Sequence, residues 1–587
     1  MLILKKRTAE LLSLAVKDNF GEGLLSSEEI AAMLEYPPDS SMGDIALPCF
    51  RLSKTLRRSP VQIAEVLAAA VKCNEFSSVT ALNGYLNFKI DGTAFAKRVV
   101  SDVERLGDKY GSPMDGCGKT VVLDYSSPNV AKPFHIGHLG TTVIGHSLKL
   151  LHEFAGYKCI GINYLGDWGT QFGKLIVAYK KWGDKAVIEE GGVDELVKLY
   201  VRINNEIGEE EAASVTGLSE EEAAARKKHS DLADEARAEF ARLEHGDEEN
   251  LALWRWFVSV SLEEYQKTYK LLGIEFDSYK GESFYTDKMP AQVEKLRNMG
   301  LLEIDDGASI VNLDKWNMPV CLILKRDGST LYPTRDIAAA VYRKETYNFD
   351  KAIYVTSAAQ SLHFAQWFKV VELMGYDWYP GLVHVPYGTV SIGGAKLATR
   401  TGNVILLKDL FAEAIARVYD IAKEKHPDDA ECRAIAEKVG VGAIVFHYLS
   451  NNRMRDINFV MEDALSFDGN TGPYAQYTYA RTCSVLEKTG DAKMTDAPLS
   501  ELEFELAKAI SIFPERVSAA IAEYEPSLIT RYILDLSAAF NRFYHDCKIA
   551  SCEDEALRSS RIALTRAANR VLKTALGLIC MQSPEKI

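Results

Sequence analysis

The spacing of apolar residues changes twice along the chain and divides it into three parts. In residues 1–110, helical stretches alternate with short strand-like pieces such as Gly84 to Ile90, where apolar side chains recur with period two. This pattern predicts an N-terminal α+β domain. Residues 111–405 alternate buried-strand runs with helices, which predicts an α/β domain with a parallel sheet. Residues 406–587 show amphipathic helices, which predicts a helical bundle.

The clearest unit of the middle part is a strand, a turn and a helix. Thr120 to Tyr125 is typical of a buried strand, the helix runs to about Ala155, and Cys159 to Asn163 predicts a second strand. More strands are predicted at Val320 to Lys325 and Lys351 to Val355. Together they predict a Rossmann-like sheet, whose ligands bind at the carboxyl ends of the strands.

Two further stretches complete the pattern. Between about residues 179 and 287 the chain becomes helical and highly charged, which predicts solvated helices inserted within the α/β domain. From Leu407 onward the pattern predicts no strands. Its best helices are Leu528 to Tyr544 and Leu557 to Ile579.

Composition narrows the function classes. The 587 residues carry a net charge of −14, which argues against DNA binding or any bulk contact with nucleic acid and requires RNA contacts to be local. The 10 cysteines have no zinc-ligand spacing, so we expect free thiols in a reducing cytoplasm and no structural zinc. No apolar run approaches the ~18 residues that a membrane span needs.

A pair of histidines, His135 and His138, lies at the turn that follows the first buried strand. Free backbone N–H groups and the helix dipole favour an anion there, and imidazoles three residues apart can both reach a polyphosphate. The alternative is that the histidines only cap the helix.

The flanking run, Ser126 to Phe134, sharpens this signal. With the two histidines it resembles the first signature of class I aminoacyl-tRNA synthetases, and its Ser-Pro-Asn and Ala-Lys-Pro elements resemble the arginyl-tRNA synthetase form. The resemblance implies ATP binding by His135, Gly137 and His138. One departure is Gly140, where the family usually has arginine.

A second segment, Lys396 to Asn403, resembles the mobile lysine loop of the same class. The resemblance implies that Lys396 contacts ATP and that Lys396 and Arg400 hold the pyrophosphate leaving group. The family-wide serine and lysine are replaced here by Ala398 and Thr399. Arginyl-tRNA synthetases that lack this lysine carry one before the histidine signature, and Lys132 matches that position; the alternative is a surface lysine.

A P-loop is excluded as the ATP site. Residues 166–174 end in Gly-Lys, but Trp168 replaces the required earlier glycine and Leu175 cannot supply the magnesium-binding hydroxyl. This run instead resembles another arginyl-tRNA synthetase element.

The amino-acid substrate depends on the segment Tyr332 to Ala338. By position alone, Asp336 would be a helix-dipole partner in a first turn. The resemblance implies that Asp336 faces the guanidinium of L-arginine, because a guanidinium has only donors and needs acceptor oxygens. The other residues implied to bind arginine are Asp124, Ser126, Asn129, Tyr332 and Gln360.

The segment Gly469 to Arg481 resembles the opening of the arginyl-type anticodon-binding domain, whose extent we predict as about residues 466–587. Tyrosines at this density are often core residues, but aromatic and arginine side chains also stack on splayed RNA bases. The resemblance implies tRNA contacts by Tyr474, Tyr477, Arg481 and Tyr544. Residues 1–110 resemble the additional domain that contacts the tRNA elbow.

The resemblance covers nearly the whole chain and implies an arginine-tRNA ligase: ATP, with Mg²⁺, activates L-arginine, and tRNA(Arg) accepts it. It implies Lys132, His135, His138, Lys396 and Arg400 as the catalytic set, with no dedicated protein metal site. Two alternatives stay open, a class I synthetase for another amino acid and a non-catalytic tRNA-binding paralogue. A small nucleotidyltransferase is disfavoured by the helical tail.

Overall fold

The computed structural model describes residues 1–37, 39, 42–73, 75–216, 229–326, 328–392, 395–396, 405–424 and 428–587. Contacts divide the chain into two compact units. Unit 1 comprises Met1–Pro113, Ser466–Leu578 and Gln582–Ile587, and unit 2 comprises Met114–Leu465 and Ile579–Met581.

The strands are β1 (Ile45–Pro48), β2 (Phe76–Leu82), β3 (Tyr85–Ile90), β4 (Thr120–Asp124), β5 (Lys158–Ile162), β6 (Glu303–Asp305), β7 (Ala308–Val311), β8 (Cys321–Leu324), β9 (Lys351–Ser357), β10 (Leu382–Tyr387), β11 (Val390–Ile392), β12 (Ala395–Lys396) and β13 (Ile457–Phe459). Short 3-10 helices cover Cys49–Arg51, Gly107–Lys109, Ile136–His138, Glu282–Lys288, Asp314–Trp316, Ala358–Gln360 and Tyr379–Gly381.

The described α-helices are α1 (Leu2–Phe20), α2 (Ser27–Met33), α3 (Ser53–Leu56), α4 (Pro60–Ala70), α5 (Gly92–Leu106), α6 (Leu139–Phe154), α7 (Thr170–Trp182), α8 (Lys185–Gly191), α9 (Val193–Ala213), α10 (Asp231–Glu244), α11 (Glu248–Leu272), α12 (Met289–Asn298), α13 (Tyr332–Tyr347), α14 (Ser361–Leu373), α15 (Leu407–Lys423), α16 (Asp429–Leu449), α17 (Met461–Leu465), α18 (Gly472–Thr489), α19 (Glu501–Glu523), α20 (Ser527–Asp546) and α21 (Glu555–Leu578).

The centre of unit 2 is a four-stranded parallel sheet with the order β10-β9-β4-β5. In β4, Leu123 lies opposite Ile353 of β9 and Gly161 of β5, so the predicted βαβ unit is confirmed. Buried side chains, including Val122, Ile337 and Trp367, form the core between the sheet and its helices. The strands therefore end together, and their carboxyl ends form one edge.

Two predictions about strands were wrong. The strand at Cys321 belongs to a separate antiparallel sheet, β6-β7-β8, and not to the parallel sheet. Strands also continue past Leu407, because Ile457–Phe459 pairs in parallel with Val390–Ile392. A three-residue strand is too short to show an alternating pattern, and its partner is distant in sequence.

The charged segment after α6 forms helices, as its pattern predicts. The helices α7 to α11 pack around apolar side chains such as Phe172, Leu175, Leu196 and Phe257. Charged residues on their outer faces form exposed ion pairs, which contribute little to stability. This segment forms one side of the candidate active site.

In unit 1, β1, β3 and β2 form an antiparallel sheet, and α18 to α21 form the helical part. Aromatic pairs join the two parts: the ring centroids of Phe95 and Phe504 are 5.8 Å apart, and those of Tyr110 and Phe513 are 6.5 Å apart. None of the helices in the described ranges combines the length and apolar character needed to cross a membrane.

Candidate active site

The backbone between β4 and α6 is strained. Ser126, Ser127 and Ala131 have left-handed φ angles of 68°, 48° and 56°, which cost energy in residues other than glycine. Hydrogen bonds hold this path: Ser127 Oγ donates to Asp124 Oδ1 at 2.9 Å, and the backbone N–H of Ser126 donates to Thr141 Oγ1 at 3.0 Å. Strain of this kind is common at functional sites.

The two histidines form a reciprocal cap of the 3-10 helix Ile136–His138, which directly precedes α6. His135 Nδ1 accepts from the Gly137 N–H at 3.0 Å, and His138 Nδ1 accepts from the His135 N–H at 3.2 Å. A neutral imidazole that accepts at Nδ1 carries its proton on Nε2. With ring centroids 4.1 Å apart, the pair therefore has two adjacent Nε2–H donors for an oxyanion.

Burial keeps both imidazoles neutral. It lowers the pKa of His138 to about 3, with a further lowering from His135 and Lys132. Burial and the nearby Lys132 also lower the pKa of His135. Lys132 is half-buried, and this burial lowers the pKa of its own ammonium. The turn therefore combines two neutral donors with one desolvated lysine.

The segment after the predicted lysine loop is attached to this turn. The Ile136 N–H donates to the Ile405 carbonyl at 3.0 Å, and the Leu407 N–H donates to the Phe134 carbonyl at 2.9 Å. Lys396, the first residue of the predicted loop, lies in β12 and is paired with Ser391 of β11. The side chain of Lys396 and the whole of Arg400 lie outside the described residues.

Acidic side chains cluster near the sheet edge. The buried Asp124 carboxylate accepts a hydrogen bond from Nη1 of Arg343 at 2.8 Å. Burial raises the pKa of Asp124, and the nearby Arg343 opposes that rise. Glu282 pairs with Arg335 at 2.8 Å, and burial raises the pKa of Glu282 to about 7.

Asp336 is the fifth residue of α13, just beyond the first turn in which the sequence pattern placed it, and it interacts electrostatically with both Asp124 and Glu282. Its Oδ2 is 2.6 Å from Nε2 of His363. A fourth acid, the buried Asp167, also acts on Glu282 and is held by Ser283. Four carboxyl groups thus share this region with the two guanidinium groups of Arg335 and Arg343.

The remaining residues predicted to bind arginine are placed differently. Tyr332 is 67% exposed at the start of α13, and Gln360 is exposed at the N-cap of α14. Asn129 is exposed, and its carbonyl accepts from Tyr265 Oη at 2.9 Å. Ser126 Oγ is buried and 2.8 Å from both Thr142 Oγ1 and Tyr269 Oη.

In unit 1, three of the four residues predicted to contact tRNA form a stack: Tyr477, Arg481 and Tyr544. The Arg481 guanidinium lies 4.9 Å from the Tyr477 ring centroid and 5.0 Å from that of Tyr544. Asn541 holds the Arg481 guanidinium in place. Its Oδ1 accepts a hydrogen bond from Arg481, and its Nδ2 donates to Tyr474 Oη at 3.0 Å. Tyr477 and Tyr544 are 37% and 43% exposed, so they are available to stack on a base.

Family models match three stretches of the chain. Residues 104–461 match "tRNA synthetases class I (R), catalytic domain", residues 475–587 match "DALR anticodon binding domain", and residues 5–90 match "Arginyl tRNA synthetase N terminal domain". The chain belongs to the arginyl-tRNA synthetase family. The family resemblance and the fold class predicted from the sequence are thereby confirmed.

Relatives in this family are similar over the whole chain. A protein of Alkaliphilus metalliredigens named arginine–tRNA ligase is 48% identical over 99% of both chains. One of Clostridium perfringens with the same name is 46% identical over 96% of this chain and 97% of its own. The assignment to the aminoacyl-tRNA synthetases therefore rests on similarity over the full length and not on a single motif.

Solved structures of arginyl-tRNA synthetases share the fold. The Thermus thermophilus enzyme has a TM-score of 0.80 with 22% identity, each chain covered to 100%. The Plasmodium falciparum enzyme has a TM-score of 0.79 with 23% identity, covering 100% of this chain and 99% of its own.

Three residues of this site were not predicted from the sequence: Arg343, Glu282 and His363. A weak signal exists for two of them. Arg343 follows Asp336 by seven residues, two helical turns along the same face, and His363 follows Gln360 by three. Glu282 begins the 3-10 helix Glu282–Lys288 that follows the charged helices, and it has no comparable signal.

Proposed function

We propose that this chain is an arginine–tRNA ligase that activates L-arginine with ATP and transfers it to tRNA(Arg). The observation that carries the proposal is the acidic cluster around Asp336, which lies at the same sheet edge as the neutral histidine turn. A guanidinium offers only donors, so carboxylate oxygens favour it over neutral side chains. Full-length relatives named arginine–tRNA ligase support the same activity.

In the first step, a carboxylate oxygen of arginine attacks the α-phosphorus of ATP. The bond from that phosphorus to the bridging oxygen breaks, and pyrophosphate leaves. The Nε2–H groups of His135 and His138 donate to phosphate oxygens, and Gly137 leaves room for the nucleotide. Lys132, Lys396 and Arg400 hold the leaving group, and Lys396 also contacts ATP.

Mg²⁺ accompanies ATP as a counter-ion of its phosphates. The described groups at the histidine turn are two imidazoles and an ammonium, which suit phosphate oxygens, whereas Mg²⁺ prefers oxygen ligands. The side chains of the protein therefore position the phosphates and stabilise their negative charge.

At the other end of the pocket, Asp336 faces the guanidinium, with Tyr332 and Gln360 beside it. Asp124, Ser126 and Asn129 line the α-amino end and the side chain of arginine. Asp124 already accepts a hydrogen bond from Arg343, so it contributes to the shape and the charge of this side of the pocket. Asp336 carries the guanidinium selection.

In the second step, the 2′- or 3′-hydroxyl of the terminal adenosine of tRNA attacks the arginyl carbonyl carbon, and AMP leaves. Tyr474, Tyr477, Arg481 and Tyr544 contact the anticodon loop. The domains divide the work: residues 1–110 contact the tRNA elbow, residues 111–405 catalyse, and residues 406–587 form the helical domain. Both steps take place in the cytoplasm.

The test is ATP–pyrophosphate exchange with each amino acid, with and without tRNA, on the parent chain and on Asp336→Asn. Asp336→Asn should weaken arginine use by about 2–4 kcal/mol with little change in the KM for ATP, because it removes the charge that faces the guanidinium. Glu345→Gln, at an exposed acid on the same helix, is the matched control and should keep parent KM values.

The alternatives give distinct results in the same assay. Exchange with another amino acid indicates a different class I synthetase, and tRNA binding with no exchange at all indicates a non-catalytic paralogue. An unchanged KM for arginine in Asp336→Asn with a normal kcat would contradict the assignment of Asp336.

A further inference from the structure

Asp336 and His363 lie at the starts of two helices, α13 and α14. Nε2 of His363 is 2.6 Å from Oδ2 of Asp336, and the side chains are 26% and 20% exposed. Since an ionised carboxylate only accepts, the imidazole N–H donates. We propose that His363 is a positioning residue that fixes the orientation of the Asp336 carboxylate and so leaves Oδ1 for the substrate guanidinium. This inference rests on the proposed function.

The cations near Asp336 are held elsewhere. Arg335, its neighbour in sequence, pairs with Glu282 at 2.8 Å. Arg343, two turns further along α13, pairs with Asp124 at 2.8 Å. Of the side chains that the structure describes, His363 alone is within hydrogen-bond distance of Asp336. Asp336 therefore has an oriented carboxylate, and among the described residues no arginine pairs with it.

Orientation is important because a carboxylate can rotate about its terminal bond, which has a broad torsional minimum. A rotating Asp336 would offer its oxygens to the substrate over a range of directions. Holding Oδ2 in one hydrogen bond removes that freedom before arginine arrives. An acceptor that is already oriented loses less freedom when arginine binds, so this hydrogen bond should strengthen arginine binding.

The start of α14, which carries His363, is held to the parallel sheet by its neighbouring residue. The ring of the next residue, Phe364, stacks on His384 with centroids 4.3 Å apart and an angle of 5°. Nε2 of His384 is 2.8 Å from Thr356 Oγ1 of β9. The start of α14 is thus fastened to the parallel sheet. The same start carries Gln360, so one rigid element holds a proposed substrate contact and the residue that orients Asp336.

The experiment compares His363→Gln with His363→Asn. The glutamine amide can place an N–H at about the reach of Nε2, whereas the asparagine amide corresponds to Nδ1 and is too short. In aminoacylation assays, His363→Asn should raise the KM for arginine about tenfold, the scale of one lost hydrogen bond, while the KM for ATP and the kcat at saturating arginine stay at parent values. His363→Gln should stay within about twofold of the parent.

A double-mutant cycle separates positioning from packing. In an Asp336→Asn background, His363→Asn should add little to the loss, because the carboxylate that it orients is already gone. Melting temperatures of all variants are measured alongside, and the cycle remains decisive if His363→Asn lowers them, because a packing defect would add in both backgrounds.

Three outcomes would overturn the proposal: an unchanged KM for arginine in His363→Asn, equal losses in the two backgrounds, or a lower KM for arginine in His363→Asn. The last would mean that the imidazole competes with the substrate. If the parent chain shows no arginine-dependent exchange with tRNA present, the proposed function itself fails, and that result is distinguishable from the other three.

Discussion

Nη1 of Arg343 donates to the Asp124 carboxylate at 2.8 Å, and the exposed fractions of the two side chains are 1% and 8%. Around Arg343, the ring centroids of Tyr164 and Tyr354 lie 5.0 and 5.6 Å from its guanidinium carbon. The substrate pocket proposed above thus contains a guanidinium of the protein's own. From the sequence alone, Asp124 would be available to the substrate, whereas in the structure its carboxylate is already paired with Arg343.

Replacing one partner of this pair should destabilise unit 2. Arg343→Met leaves the Asp124 carboxylate buried without its cation, which should cost about 3–5 kcal/mol. The double variant Asp124→Asn with Arg343→Met should recover much of that loss, since no unpaired charge remains. Calorimetric unfolding of the parent, single and double variants measures this. Equal destabilisation by the single and double variants would contradict the buried-charge explanation.

Lys132 provides the sharpest catalytic prediction. Lys132→Ala should slow adenylate formation by roughly 10²–10³-fold, the scale for removing one preorganised charge, with little change in arginine or tRNA affinity. Introducing lysine at Thr399, which lies outside the described residues, should restore part of the rate in that variant. Single-turnover adenylate formation is the measurement. A parent rate in Lys132→Ala would mean that Lys132 has no catalytic role.

Buried histidines should make the fold acid-sensitive. Burial lowers the pKa of His146 to about 3 and that of His152 to about 4. Unfolded histidine titrates near pH ~6.5, so below that pH the unfolded chain binds protons first. The stability contribution then falls until about pH 4 for His152 and about pH 3 for His146, where the folded state also protonates. Each group costs up to ~1.4 kcal/mol per pH unit.

His146→Gln should therefore make the melting temperature fall less steeply between pH ~6.5 and ~5. Most carboxyl groups stay ionised in that range, so the difference between the two curves reports the imidazole. Differential scanning fluorimetry across a pH series is sufficient. Parallel curves for the parent and the variant would show that His146 contributes nothing to this acid sensitivity.

Variants of Tyr477 test whether the exposed tyrosines of unit 1 contact tRNA. Tyr477→Ala should weaken aminoacylation at limiting tRNA by about 1–3 kcal/mol, because it removes a stacking surface. Tyr477→Phe keeps the ring and should retain parent activity. Because Tyr477 is 37% exposed, the loss should appear in the KM for tRNA without a matching loss of helical-domain stability. A loss of stability in proportion to activity would indicate a packing role.

Gly140 departs from the usual arginine of the family, and the structure gives a steric reason. A side chain there would collide with the hydroxyl of Tyr448 and approach the ring of Tyr387. Gly140→Ala should therefore cost about 1–3 kcal/mol of stability and slow adenylate formation, since α6 carries the histidine turn. Tyr448→Phe in that background should recover part of the loss.

The control for Gly140 is Gly208→Ala, at another helical glycine where an added Cβ meets nothing within 4 Å. That change should be neutral or stabilising, by about 0.5–1 kcal/mol, because alanine favours helix. Thermal unfolding of both variants, with adenylate formation rates, separates the steric effect from helix propensity. A neutral Gly140→Ala would contradict the steric account.

Local sequence determined much of this protein. Apolar periodicity sets strand and helix over several turns, so β4, α6 and β9 were predicted to within a few residues. The position of His135 and His138 between β4 and α6 was predicted as well, because it depends on residues adjacent in the chain, whereas their contact with ATP stays a prediction. Short strands such as Ile457–Phe459 were not, since their partners are distant and three residues carry no period.

Tertiary structure decided which charges meet. The sequence around Asp124 in β4 does not indicate that Arg343 of α13 would pair with it. Likewise, the sequence does not show that His363 of α14 would reach Asp336. Protonation was decided in the same way, since burial makes His135 and His138 neutral donors. Periodicity and motifs arise from neighbours along the chain, whereas pairing and pKa depend on burial and on groups that only folding brings together.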